Sequence, residues 1–242
     1  MSRFPQKLPN TAMVLAAGLG LRMRPLTLDL PKAMVEVKGR SLIDRALDRL
    51  KAAGIAKVVV NLHHKGNTLK RHLAERNDIE IAFSDETELL LETGGGVARA
   101  LPLLGSGPFF VVNSDVIWLD AQGDSLHALA AAWDDAAMDA LLLMHPTVMA
   151  VGYSGMGDFD MAADGRLTRR EQRHVAPFLF TGIQLLHPRL FDDAPPGPFS
   201  LNRLYDKAAE SGRLFGLRHQ GIWMDVGTPA GLKAAEAALE DL

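Results

Sequence analysis

Apolar residues in this chain fall into two patterns, short unbroken runs and stretches where they recur every three or four positions. The alternation of the two predicts the fold. Residues 11–17 form a run too short for a helix and closed by glycine, hence a buried strand. Residues 41–53 carry Leu42, Ala46, Leu47 and Leu50 at helical spacing, with Ser41 placed to cap and Gly54 to stop the helix. The β-branched run 57–62 predicts a strand, 66–75 a helix, 79–83 a strand and 95–104 a helix. A strand at 109–113, a helix at 126–133 and a strand at 140–144 follow. This βαβα order predicts an α/β protein with an open, mostly parallel sheet and helices on both faces. Ligands of such sheets bind beyond the carboxyl ends of the strands.

The last third differs. Residues 152–165 are rich in glycine and aspartate, and 156–167 read as a hairpin turning at Asp164-Gly165. A strand is expected at 176–186, a rigid proline turn at 194–198, a helix at 202–211 and a strand at 214–217. A closing helix at 229–239 carries Pro229 near its first turn. No internal repeat or low-complexity tract interrupts the chain, so one domain over residues 1–242 is expected.

Composition narrows the function. At 242 residues the chain can bury a sizeable core, and its 48% apolar content is that of a globular protein. A net charge of −3 argues against nucleic acid as a partner, which calls for a clearly basic surface. No apolar run is long enough to span a bilayer, and no membrane partner is expected. With no cysteine, disulfides and thiolate metal sites are excluded, which fits a cytoplasmic location. Residues 1–7 lack a long apolar continuation and predict no signal peptide.

The first strand empties into Gly18 and Gly20, followed by Arg22, Arg24, Pro25 and Lys32. Glycines let backbone N–H groups approach phosphate oxygens, and the three cations supply countercharge. Together they read as a triphosphate cradle. Met23 follows where the dinucleotide fingerprint needs a third glycine, and no Gly-Lys-Ser/Thr closes a P-loop. Asp115 and Asp225 each end a short apolar run, and two carboxylates beside a triphosphate suit Mg²⁺. Taken singly, each aspartate also fits a turn or cap, and Thr228 could cap the last helix itself. Glu92-Thr93-Gly94-Gly95-Gly96 reads either as a shelf for a planar base or as a flexible turn. The eight histidines show no metal spacing, His63 and His64 standing as neighbours at a strand end. No Gly-x-Ser-x-Gly elbow occurs. Arg166, Arg169, Arg170 and Arg173 form a basic run that serves as a solvated face or lies over an anionic substrate.

In combination these motifs resemble the sugar-1-phosphate nucleotidyltransferases. The family's Leu-Ala-x-Gly-x-Gly-x-Arg-Met/Leu-x-Pro-Leu-Thr matches from Leu15 to Thr27, with Pro31-Lys32 after it. Asn113-Ser114-Asp115 resembles its first metal motif and Trp223-Met224-Asp225-Val226-Gly227-Thr228 its second. The resemblance implies a Rossmann-like sheet with a small sugar-binding lobe, the nucleotide half at about 11–145 and the sugar half at about 146–242. It implies that Arg22 holds the leaving pyrophosphate, Lys32 the reacting phosphates, and Asp115 and Asp225 the Mg²⁺. Leu15, Ala16, Ala17, Gly18 and Gly20 would hold the nucleotide, with Glu92, Thr93 and Gly94 facing the base. Asn113, Gly157, Asp158 and Thr181 would face the sugar. The segments around Glu92, Gly157 and Thr181 are most similar to the short bacterial N-acetylmuramate-1-phosphate uridylyltransferases of peptidoglycan recycling, which implies UTP as the nucleoside triphosphate. Mannose-1-phosphate guanylyltransferases share much of the pattern. The Glu-Lys-Pro segment of many relatives is missing here, and Arg169, Arg170 and Arg173 stand in its neighbourhood. A non-catalytic nucleotide-binding module is the alternative of another class, though it has little need of both aspartates.

Overall fold

The computed structural model describes residues 8–241. The chain opens with β1 (Thr11–Leu15), then β2 (Glu36–Val37), β3 (Arg40–Ser41), α1 (Leu42–Ala52), β4 (Lys57–Leu62) and α2 (Gly66–Leu73). Next come β5 (Glu80–Asp85), α3 (Glu92–Leu104), β6 (Phe109–Asn113), β7 (Val116–Leu119), α4 (Ser125–Ala132) and β8 (Ala140–Pro146). The remainder holds β9 (Phe159–Met161), β10 (Leu167–Arg169), β11 (Phe178–Leu186), α5 (Asn202–Glu210), β12 (Leu214–Arg218), β13 (Ile222–Asp225) and α6 (Pro229–Glu240).

One mixed sheet runs through the molecule. On one side β5, β4, β1 and β6 are parallel neighbours, as the βαβα order predicts. Beyond β6 the sheet turns antiparallel through β11, which pairs with β8, while β12 lies parallel to β8 at the edge. Buried strands with single-residue alternation sort the core into two layers. Ala12, Val14, Val58, Val60, Phe110 and Val112 face Ile43, Leu47 and Leu50 of α1, Leu69 and Leu73 of α2, and Leu126 and Leu129 of α4. Met13, Val59, Val111 and Leu142 face Val97, Ala100 and Leu104 of α3 and Leu204, Tyr205 and Ala208 of α5. The expected helices on both faces are present.

Helix ends follow the predicted caps. The Ser41 hydroxyl accepts from the Asp44 N–H at 3.1 Å, and Gly54 takes a left-handed φ of 92° after α1. Thr228 accepts from the Gly231 N–H at 3.0 Å, so Thr228, not Asp225, caps α6. Asp115 caps nothing, because β7 follows it. The hairpin turning at Asp164-Gly165 is present as β9 and β10, with β10 reaching Arg169.

Two features depart from the sequence reading. Helix α3 begins at Glu92, before the glycines instead of after them. Gly94 and Gly95 both donate to the Phe199 carbonyl, at 2.8 and 3.2 Å, which satisfies N–H groups that a helix start leaves free. The second departure is the pair β7 and β13, antiparallel and separate from the main sheet, with Asp225 opposite Val116. A small third core of Met23, Val35, Ile117, Met224, Val226 and Ala235 packs beneath this ribbon. Among the described residues no helix is long and apolar enough to cross a membrane. The signal-peptide reading of residues 1–7 lies outside the described residues.

Candidate active site

The carboxyl ends of β1, β4 and β6 deliver Ala16, Asn61 and Asn113 to one rim of the sheet, where the topology rule places a ligand. Two adjoining clefts open there. One, of about 220 Å³, is lined by Leu15, Ala16, Ala17 and Gly18 together with Glu92, Thr93, Asn113 and Asp115. The other, of about 400 Å³, is lined by Gly18, Gly20, Arg22 and Gly227. Lys32 and Gly18 belong to both clefts and mark their junction. No atom lies within 4 Å of where a side chain on Gly18 would project, so a ligand can reach the backbone there.

The cradle is built by short 3-10 turns at Leu21–Met23 and Lys32–Met34. The Met23 N–H and the buried Thr27 hydroxyl both donate to the Gly20 carbonyl, at 2.9 and 2.7 Å. Met23 is buried in the third core while Arg22 stays exposed, its guanidinium brought over Gly227 beyond β13. Arg24 is also exposed and lines neither cleft.

The β7–β13 ribbon unites the two aspartates. The Val226 N–H donates to the Asp115 carbonyl at 2.9 Å, and the Asp225 N–H to the Val151 carbonyl at the same distance. Lys32 forms an ion pair with Asp115. Asp225 accepts from the Gly227 N–H at 2.8 Å. Burial, then the like charge of Asp115, push the Asp225 carboxyl above the usual carboxylate range, against the pull of Gly227, Lys32 and Arg22. Two carboxylates that repel one another and are drawn to the same cations make a place that favours positive charge. No cluster of three or more His, Cys, Asp or Glu occurs among the described residues. The pair therefore suits an ion that takes one or two carboxylates and completes its shell with phosphate and water oxygens, as Mg²⁺ does.

Sequence reasoning missed a buried polar pair beside the first cleft. Asn61 and Glu86 are each 2% exposed. Asn61 Oδ1 accepts from the Ala16 N–H at 2.7 Å, while its Nδ2 donates to Glu86 Oε1 at 2.7 Å. Glu86 Oε2 then accepts from the Leu91 N–H at 3.1 Å. One polar chain thus joins the loop after β1 to the start of α3. Buried polar groups at strand ends were its only signal in the sequence.

The structure redistributes several expected roles. The glycine shelf is corrected: Gly94, Gly95 and Gly96 are buried, and their missing side chains make way for Phe199, the Gly197 carbonyl and the Glu86 carboxyl. Glu92 and Thr93 remain exposed on the cleft, Thr93 accepting from the Leu201 N–H at 2.9 Å. Thr181 is also corrected. It is fully buried, its hydroxyl donates to the Leu143 carbonyl at 2.7 Å, and its carbonyl accepts from Trp223 Nε1 at 2.8 Å. Its side chain is a core element. Gly157 lies against the Ala176 carbonyl and the Thr147 hydroxyl. The Asp158 carboxylate accepts from the Phe180 N–H at 2.8 Å, fixing the loop to β11. Tyr153, also missed, accepts from the Gly157 N–H at 3.2 Å, and burial and the charges of Asp158 and Asp225 raise its pKa.

The three arginines separate. Arg169 is paired with Asp206 and lies 4.8 Å over the Phe159 ring. Arg170 donates to the carbonyls of Gly157 and His174, at 3.1 and 3.0 Å. Arg173 is exposed at a left-handed φ of 68°, with no hydrogen-bond or ion-pair partner among the described residues.

The sequence profile of the nucleotidyl transferase family matches residues 11–241, which is nearly the whole chain. The chain is a member of the nucleotidyl transferase family. It is 45% identical over 237 residues to the N-acetylmuramate alpha-1-phosphate uridylyltransferase of Caulobacter vibrioides, covering 96% of this chain and 98% of that one. It is 28% identical over 223 residues to the mannose-1-phosphate guanylyltransferase catalytic subunit beta of Dictyostelium discoideum, covering 90% of this chain but only 61% of that protein. A UDP-glucose pyrophosphorylase solved with UDP-glucose has the same fold, with a TM-score of 0.77 at 15% identity, covering 96% of this chain and 99% of the other. The chain is thus a nucleotidyltransferase, and its sheet is that of its structural neighbours.

Proposed function

We propose that this nucleotidyltransferase joins UTP to N-acetylmuramate α-1-phosphate, releasing pyrophosphate in a peptidoglycan-recycling role. The observation that carries the chemistry is the convergence of Arg22, Lys32, Asp115 and Asp225 where the two clefts meet. The choice of sugar and base rests on likeness to the Caulobacter uridylyltransferase over almost the full length of both chains. The guanylyltransferase reading has the weaker likeness and the shorter overlap.

A phosphate oxygen of the sugar-1-phosphate attacks the α-phosphorus of the nucleotide in line. The bond to the β-phosphate breaks, and the electron pair leaves with pyrophosphate. The nucleophile is already an anion, so no general base is needed. Leu15 to Gly18 and Gly20 hold the nucleotide, with Glu92 and Thr93 at the base. Lys32 reaches the reacting phosphates from the junction of the clefts while fixing Asp115. Arg22 meets the charge that accumulates on the leaving pyrophosphate, a contact stronger in the transition state than before it. Asp115 and Asp225 would hold Mg²⁺, which supplies charge neutralisation and orientation of the phosphates. Asn113, Gly157 and Asp158 border the sugar, and Arg173 has a free guanidinium fork for the lactyl carboxylate of muramic acid. A cytoplasmic location belongs to the same proposal.

The test is a panel of the four nucleoside triphosphates against several sugar-1-phosphates, scored by pyrophosphate release. UTP with N-acetylmuramate α-1-phosphate is expected to give the highest kcat/KM. A higher value for GTP with mannose-1-phosphate overturns the substrate assignment and leaves the reaction class standing.

A further inference from the structure

Away from both clefts, a cavity of about 400 Å³ opens between α1 and β7. Its charged lining is Arg40, Arg45 and Arg49 against the single carboxylate of Asp48, and the aromatic part is Trp118. Arg40 is committed to Asp48, donating from Nε and Nη2 at 3.0 and 2.6 Å. Arg49 is paired with Asp120 and lies 5.4 Å over the Trp118 ring, and Arg45 donates to the Val37 carbonyl. After these bonds, Arg45 Nε, Arg49 Nε and Trp118 Nε1 are still buried donors without an acceptor. Trp118 itself is 2% exposed.

Every unanswered group in this lining is a donor, and two of the three carry positive charge. Buried donors are rarely left unpaired, so the place calls for an acceptor supplied from outside the chain. Burial, then the neighbouring charge of Arg40, lower the pKa of Arg45, and a negative ligand relieves that strain on its protonated form. We propose that this cavity is a second anion site, taking the oxygens of a phosphate or diphosphate group on Arg45 and Arg49, with Trp118 at its wall. The assignment is independent of which sugar or base the catalytic clefts accept. Inorganic phosphate, free pyrophosphate and the phosphate of a nucleotide share this chemistry.

The test is an NMR titration of the ¹⁵N-labelled full chain without added metal, following the three tryptophan indole resonances. Trp118 is assigned by its disappearance in Trp118→Phe. Inorganic phosphate, pyrophosphate and UMP are added separately, and the one that moves Trp118 at the lowest concentration names the source. A saturable shift of the Trp118 indole, lost in Arg45→Gln but kept in Arg22→Ala, supports the site. In the unliganded protein Arg45→Gln removes the bond to Val37 and the attraction to Asp48, and its indole spectrum without ligand reports whether it folds. Should that variant unfold, Arg49→Lys, which keeps the charge but loses the fork, is titrated instead and is expected to bind more weakly. No shift with any of the three anions overturns the proposal. So does a shift unchanged by the arginine substitutions, or one that vanishes with Arg22→Ala.

Discussion

Two parts of the molecule that carry expected site residues are fixed by different means. Around the cradle, loops spring from parallel strands buried on both faces, and the Asn61–Glu86 pair ties Ala16 to Leu91 through side chains almost sealed from water. Gly157 and Asp158, by contrast, lie in the loop that leads into the short antiparallel pair β9 and β10, and Val148, Met149, Met156 and Val175 are exposed. There the fastenings run through backbone and surface arginines, such as Arg170 to the carbonyls of Gly157 and His174. Under the proposed function the rigid part would hold the triphosphate, whose shape is the same whatever base it carries, and the groups that differ between sugars would meet the part that can be rebuilt without disturbing the core.

The largest expected effect lies where the two parts join. Asp115→Asn and Asp225→Asn should each remove most turnover, beyond the roughly 10²–10³-fold cost of losing one charge-stabilising donor. Both should raise the Mg²⁺ concentration needed, read from pyrophosphate release across a metal titration. Near-normal rates at limiting Mg²⁺ would show that the ribbon joins the two parts without serving the chemistry.

Arg22→Ala should come next, lowering kcat by roughly 10²–10³ with a smaller rise in the nucleotide KM. A rise in KM alone would make Arg22 a part of the rigid cradle and nothing more.

Glu86→Gln sharpens the contrast directly. Its amide would set a donor against Asn61 Nδ2 or the Leu91 N–H, a mismatch that costs about 1–3 kcal/mol. The nucleotide KM should rise by about tenfold on that scale, with the sugar-phosphate KM unmoved. If both constants rise together, the pair supports the entire cleft and the division into two parts fails.

The smallest effect concerns pH. His145 and His219 lie with ring centroids 5.6 Å apart, and both are almost fully buried. Burial pushes both pKa values below the ordinary histidine value, and for His145 the charge of His219 adds to it. The unfolded chain therefore binds more protons than the folded one below about pH 6.5, and stability falls as the pH drops through that value. Melting curves between about pH 7 and pH 5 should show this loss, and His145→Phe should reduce it. An equal loss in the variant would assign the acid sensitivity elsewhere.

Much of this was legible in the sequence because it depends on local pattern. The strand runs, the Ser41 and Thr228 caps and the glycine–arginine cradle are set by neighbours within a few residues. What the pattern does not encode is distant pairing. Val116 to Leu119 has no predicted element of its own, and only its pairing with Ile222 to Asp225 makes it the ribbon that unites the aspartates. The glycines at 94–96 read as a shelf for a ligand or as a turn, yet what comes close to them is the protein itself: Phe199 and Gly197 from a remote loop, and Glu86. Thr181 misled for a related reason. A threonine in a strand offers the same hydroxyl to a ligand or to its own core, and here Leu143 takes it.

The Val226 N–H bond to the Asp115 carbonyl also has a bearing on how the protein comes into being. Closing a long loop costs chain entropy before any contact compensates for it, so such a joint tends to be a late event in folding. Met23 of the Gly20–Lys32 loop packs into a core that needs Met224, Val226 and Ala235, so that loop and the joining of Asp115 to Asp225 are completed together, by the segment from Ile222 onward.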